Sequence, residues 1–371
     1  MSSEPLTTAA TSRAPTTATA TRSPAPIPFA DCPLPISQTR EILLGHGSGG
    51  RLTAQLIEQV ILPAFRNPML EALDDQARVL ADGVRLAFTT DSYVITPIFF
   101  PGGDIGELAV NGTVNDLVVG GARPLCLSCA FILEEGLPLD DFERVVASCQ
   151  RAAARVGVPI VTGDTKVVPR GSADKIFINT SGIGIVPAGV SLSGTRVQPG
   201  DAILVSGPIG DHGIAILSCR AGLELEGPIA SDTAPLHELC QRALEACPAI
   251  HAMRDPTRGG VAATVVEIAS RGQVGIELDE SAIPVRDTVR GACEIFGLDP
   301  LLVANEGKLV VFVPEAGAGA VLAALRAHPL GDGAARIGRV TRQHPGVVTV
   351  RTLGGERILD LPFAEQLPRI C

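Results

Sequence analysis

Cys371 is the last residue of the chain, carried on Leu367-Pro368-Arg369-Ile370-Cys371. A thiol on such a tail can visit another protein or fold back into a pocket, and its thiolate is the nucleophile. Arg369 favours the thiolate, while the terminal carboxylate opposes it. Four aspartates form a second group. Asp82 precedes a strand in Leu80-Ala81-Asp82-Gly83-Val84, and Asp91 ends one in Phe88-Thr89-Thr90-Asp91-Ser92. Asp116 lies in Val114-Asn115-Asp116-Leu117, and Asp164 follows an apolar run in Val161-Thr162-Gly163-Asp164-Thr165-Lys166. Carboxylates at strand ends bind hard cations through oxygen, and a polyphosphate can complete the coordination. Together the four suggest a Mg²⁺-nucleotide site; each taken singly reads equally as a solvated turn.

Glycine turns supply further anchors. Gly45-His46-Gly47-Ser48-Gly49-Gly50-Arg51 can wrap a phosphate with backbone N–H groups. It is not a Walker A loop, because Arg51-Leu52 stands where Lys-Ser/Thr is required. Ser206-Gly207-Pro208-Ile209-Gly210-Asp211-His212-Gly213 and Arg254-Asp255-Pro256-Thr257-Arg258-Gly259-Gly260 each enter a helix and can present N-terminal amides to an anion. Val303-Ala304-Asn305-Glu306-Gly307-Lys308 gathers polar residues before an apolar strand. His46 and His212, inside two of these loops, read as structural or solvent-exposed.

The elements positioning these residues alternate. Helical spacing is expected over 52–65, 105–121, 139–156, 211–221, 233–249 and 259–271, with strands at 86–90, 125–133, 159–162, 175–186, 202–206, 275–279, 309–313 and 347–352. In the 105–121 helix, Glu107, Asn111 and Asn115 form a polar stripe at i+4 steps. The texture changes at Thr195-Arg196-Val197-Gln198-Pro199-Gly200-Asp201, and the alternation on both sides predicts two α/β (α+β) domains.

The chain has 371 residues, room for two domains of ordinary size. With 46% hydrophobic and 19% charged residues it is globular, and a net charge of −10 argues against nucleic acid or an anionic membrane as main partner. Nine cysteines without dense regular spacing fit a reducing cytoplasm rather than a disulfide framework. Cys126 and Cys129, three apart on a strand, point to opposite faces and are poorly placed to share a metal. No apolar run is long enough for a bilayer. Residues 1–40 lack a signal-peptide core over their first thirty and read as a disordered extension.

Taken together, "NGTVNDL", "TGDTKVV", "GPIGDHG", "DPTRGGVA", "ANEGKL" and the terminal "PRIC" resemble the HypE family of hydrogenase maturation proteins, within the superfamily of aminoimidazole ribonucleotide synthetase and selenophosphate synthetase. The resemblance runs from about Leu44 to Cys371. It implies a two-domain PurM-like fold: an ATP-binding and dimerisation domain at 41–190, whose strands form a barrel shared by a homodimer, an α/β domain at 191–358, and a mobile tail at 359–371. It further implies that Asp82, Asp91, Asn115, Asp116, Asp164 and Lys166 hold ATP, with Mg²⁺ on Asp82, Asp91, Asp116 and Asp164. Catalysis would fall to Cys371, Lys166 and Asp164, and Glu306 and Lys308 are candidates for tail or phosphate contacts. The implied reaction is ATP-dependent dehydration of an S-carbamoyl group on Cys371 to a thiocyanate. HypF would supply the carbamoyl group, and the HypC–HypD complex would accept the cyanide for a [NiFe]-hydrogenase iron.

Other readings stay open at this point. A selenophosphate synthetase would carry a reactive Cys or selenocysteine and a lysine in the first glycine loop, which has neither; the purine-pathway enzyme needs no terminal cysteine. A nucleotide-gated carrier, whose tail ferries a group made elsewhere, would bind ATP without hydrolysis coupled to a change at Cys371.

Overall fold

Asp82-Gly83 makes a two-residue hairpin. Both residues have positive φ, 48° and 81°, the geometry for which Asp-Gly is favoured. The hairpin joins β1 (Ala77–Ala81) to β2 (Val84–Tyr93) in the first of two sheets. The computed structural model describes residues 1, 41–222, 229–362, 367 and 369–371. The extension expected before residue 41 lies almost wholly outside them, as does Pro368 of the tail.

The stretch expected to be helical at 52–65 forms α1 (Arg51–Leu56) and α2 (Leu62–Phe65), joined by a π-helical turn at Ile57–Ile61. After β2 come the short strands β3 (Phe99–Phe100) and β4 (Gly103–Asp104), then α3 (Ile105–Val119). Next are β5 (Arg123–Glu134), α4 (Leu139–Val156), β6 (Ile160–Thr162), β7 (Thr165–Val168) and β8 (Ile176–Ile185). The sheet runs β1-β2-β8-β5-β6, with β7 also on β5. Asp104 caps α3, its Oδ1 accepting from the Gly106 and Glu107 amides at 2.8 and 3.0 Å.

α3 packs on the sheet with Leu108, Val114 and Leu117 fully buried. Its polar stripe does not face water. Asn111 and Asn115 are buried against the loop that follows residue 230, in the second half of the chain. Strand alternation puts Val79, Val84, Phe88, Ile132 and Ile183 on the sheet face away from α3, and all five are exposed.

The second sheet is built from β9 (Asp201–Val205), β10 (Ala252–Arg254), β11 (Gly275–Asp279), β12 (Val310–Pro314), β13 (Ala335–Thr341), β14 (Val348–Thr352) and β15 (Gly355–Leu359), in the order β10-β12-β9-β13-β11-β14-β15. Between its strands come α5 (Asp211–Ala221), α6 (His237–Ala246), α7 (Gly260–Gly272), α8 (Asp287–Phe296) and α9 (Glu315–Arg326). β9 is buried along its whole length, as its unbroken apolar run requires. One apolar core joins the two halves and takes in Ile98 and Leu108 from the first, Leu236 and Val303 from the second, and Leu367 and Ile370 from the tail. No described helix is long and apolar enough to cross a membrane.

Candidate active site

Asn305 ties three of the glycine turns together. Its Oδ1 accepts from the Gly210 amide at 2.8 Å, and its Nδ2 donates to the Pro256 carbonyl at 2.9 Å. Gly210 has φ 89°, and a Cβ there would lie 2.8 Å from Val289 Cγ1, so the turn requires glycine. The first glycine loop rests on the same assembly, with Arg258 Nη1 donating to the Gly47 carbonyl at 3.1 Å. Loops read separately in the sequence thus share one wall.

At that wall Asp75, Asp116 and Asp255 converge, one oxygen of each within 4.8 Å of the others. Asp75 precedes β1, Asp116 is on α3 and Asp255 follows β10, so the group spans both halves of the chain. Arg254 Nε lies 2.9 Å from Asp75 Oδ2, and the Thr89 hydroxyl donates to Asp116 Oδ2 at 2.7 Å. Burial, with the neighbouring carboxylates added, raises Asp75 to about 6 and Asp255 to about 8. Asp116 is pushed well above the carboxylate range by burial and then by Asp91, Asp255 and Asp75. Three carboxylates that cannot all ionise alone suit a hard divalent cation, which would compensate them jointly.

Glu306 is a fourth acid at this wall. It is buried, and among the described residues its Oε1 has no hydrogen-bond partner. Burial, then Asp232, Asp255 and Asp91, raise its pKa well above the usual range, while Arg258 opposes them. The negative charge of Cys371 raises Arg258 in turn, with Asp91 and Glu306 adding to it.

The tail is seated in its own subunit. The Val94 amide donates to an oxygen of the Cys371 terminal carboxylate at 3.1 Å, and His212 Nε2 lies 2.8 Å from the Ile370 carbonyl. Leu367 and Ile370 are buried. Burial lowers the His212 pKa, so the ring is neutral and Nε2–H is the donor. Nδ1 then accepts from the Ser231 hydroxyl at 2.7 Å. His212 is thus structural, as expected, and what it structures is the tail.

The sequence-predicted residues separate. Asp116 is in the carboxylate group, and Asp91 is close enough for its charge to act on all three members. Asp82 does not join them: it is the exposed tip of the β1–β2 hairpin, where its backbone conformation accounts for it. Asp164 and Lys166 are exposed and pair with each other at 2.8 Å. Lys166, in register with the outward-facing Ile132, lies on the apolar sheet face. The Lys166 ammonium and the Thr165 amide hold the Asp164 carboxyl below its ordinary range. Asn115 is engaged on both sides of its amide, Nδ2 to the Ala234 carbonyl at 3.0 Å and Oδ1 from the Leu236 amide at 2.8 Å. Lys308 pairs with Asp232 at 2.9 Å. Of the four expected aspartates, the single chain brings Asp116 together with Asp75 and Asp255, with Asp91 near them, while Asp82 and Asp164 lie apart from that group. The signal for Asp255 was present in the Asp-Pro-Thr-Arg-Gly-Gly turn, read there for its amides; Asp75 carries no motif of its own.

Residues 73–186 match the N-terminal domain of AIR synthase related proteins and residues 198–351 the C-terminal domain. The carbamoyl dehydratase HypE of Cupriavidus necator is 53% identical over 341 residues, covering 91% of this chain and 97% of that protein. A crystal structure of HypE in complex with ATP superposes with TM-score 0.75 at 53% identity, over 89% of this chain and all of that one. A HypE–HypF complex gives TM-score 0.79 at 48% identity, over 83% of this chain and 99% of the matched chain. The two family models take in Asp75, Asp116 and Asp255 and the turns around Gly210, Pro256 and Asn305, and with the identity to HypE over most of both chains they show that the chain belongs to the HypE family of carbamoyl dehydratases.

Proposed function

We propose that this protein dehydrates an S-carbamoyl group on its own Cys371 to a thiocyanate, using ATP. The observation that carries the reading is the seating of the terminal residue inside its own chain, with the Val94 amide on the Cys371 carboxylate and Ile370 buried, near enough for the charge of Cys371 to act on Arg258. An amide loses water poorly because its oxygen is a poor leaving group. Transfer of the γ-phosphoryl to the carbamoyl oxygen makes that oxygen part of phosphate, a good leaving group. The C–O bond then breaks as nitrogen gives up its protons, and the products are the thiocyanate, ADP, inorganic phosphate and one proton. The tail delivers the substrate without diffusion, so orientation supplies much of the rate.

Each residue has a part in this reading. Asp75, Asp116 and Asp255, with Asp91 nearby, would hold Mg²⁺, whose charge neutralises the phosphates when bound. Glu306 is the proton acceptor: its raised proton affinity and unpartnered oxygen suit that role, and Lys166 is already paired with Asp164. Asn115 fixes the two halves of the chain around the site. The exposed apolar face bearing Val79, Val84, Phe88, Ile132 and Ile183 supports a homodimer. Asp164 and Lys166 would reach a nucleotide site in the context of that assembly. HypF is the carbamoyl donor in this reading, supported by the HypE–HypF complex, and HypC–HypD is the acceptor.

The reading predicts that ADP release is stoichiometric with carbamoylated Cys371. Phosphate release by protein loaded with carbamoyl should exceed that of unloaded protein, and Cys371→Ala should remove the difference. Equal release from loaded and unloaded protein would favour the nucleotide-gated carrier.

A further inference from the structure

Three donors of the Arg369 guanidinium are held by the body of the protein. Nε donates to the Val94 carbonyl at 2.9 Å, Nη1 to Asp174 Oδ2 at 2.8 Å and Nη2 to Thr96 Oγ1 at 3.0 Å. The Thr96 hydroxyl donates to the same Asp174 oxygen at 2.8 Å, closing the socket. Arg220 braces it from the other side, Nε donating to the Thr96 carbonyl at 2.5 Å and Nη2 to the Arg369 carbonyl. Arg369 itself has φ 51°, a left-handed conformation that a residue with a side chain keeps only where its surroundings over-determine it. Val94, which accepts from the Arg369 side chain, also donates its amide to Cys371, so one residue fixes both the clamp and the terminus.

We infer that Arg369 is a positioning residue, a clamp that holds Cys371 docked against Val94 through a socket of Val94, Thr96 and Asp174. Docking sets the orientation of the group on sulfur, and release exposes the thiol to partner proteins. Arginine is required because one planar fork must reach three acceptors in different directions, which a lysine ammonium on a flexible stem does not do. The consequence for catalysis rests on the dehydratase reading; the clamp itself does not.

The test is the rate at which iodoacetamide modifies Cys371 in the full chain, read from the mass of the C-terminal peptide so that other cysteines do not count. Asp174→Ala should raise that rate about fivefold, the worth of a half-exposed charge-assisted contact. Arg369→Lys, a change in the tail that spares the sheets, should raise it similarly, and Asp174→Glu should restore most of the protection. In carbamoylated protein, single-turnover dehydration by Asp174→Ala should fall by a similar factor. Modification rates within about twofold of the parent in both Asp174→Ala and Arg369→Lys would overturn the clamp. Faster modification with dehydration undiminished would overturn its positioning role. Failure of the parent protein to dehydrate at all would overturn the functional reading, while the modification rates would still judge the clamp.

Discussion

Glu306→Gln is expected to lower dehydration of carbamoylated Cys371 by about a hundredfold or more, the usual worth of a positioned general base, while the protein stays folded. Glutamine has the shape of a protonated glutamate, and burial with the surrounding carboxylates holds Glu306 in that protonated form well above the ordinary range. The substitution therefore removes the proton acceptor without leaving a new buried charge. Because the basic form is the active one, the parent protein's rate should rise with pH through a limb lying above the usual glutamate value. The stability effect has the same origin. A carboxyl whose folded pKa is raised loses stability as pH rises from its unfolded value through its folded one, and Glu306→Gln should remove that loss. A variant retaining more than about a tenth of the parent rate would rule out Glu306 as the base.

Asp116→Asn should abolish the thermal stabilisation that Mg²⁺ gives the parent protein and lower dehydration at least about a hundredfold. Asp75, raised to about 6, and Asp255, raised to about 8, take up protons on folding. Without metal, stability should fall as pH climbs from about 4, the unfolded carboxylate value, to about 8. A bound cation replaces those protons, so the Mg²⁺-induced rise in Tm should be larger at about pH 8 than at about pH 6. The variant keeps the shape of the side chain but leaves two carboxylates where three converged. An unchanged Mg²⁺ shift in Asp116→Asn would move the metal elsewhere.

Much of this arrangement was legible in the sequence. The 139–156 and 211–221 helices and the 275–279 strand coincide with α4, α5 and β11, because their periodicity and their glycine ends agree. The acidic wall was only half legible. Asp116 was visible from its motif, but its partners Asp75 and Asp255 come from a loop before β1 and from the other half of the chain, and no local spacing records that meeting. Asp82 carries a second signal as well: Asp-Gly between two strands marks a hairpin, and its positive φ at the β1–β2 turn is that signal realised. The stripe of Glu107, Asn111 and Asn115 was real, but a polar stripe cannot say whether water or a second domain lies opposite. Here Asn111 and Asn115 meet the loop at Thr233–Ala234. The docking of the tail was likewise out of reach, since the acceptors for Arg369 lie at Val94, Thr96 and Asp174, far away along the chain.

The most direct test is the mass of the C-terminal peptide from protein carbamoylated at Cys371, compared with and without Mg-ATP. The account predicts the loss of one water from that peptide only when ATP is present, leaving a thiocyanate on Cys371. A carbamoyl adduct that persists unchanged, in folded protein shown to bind ATP, would contradict it and assign the dehydration to a partner.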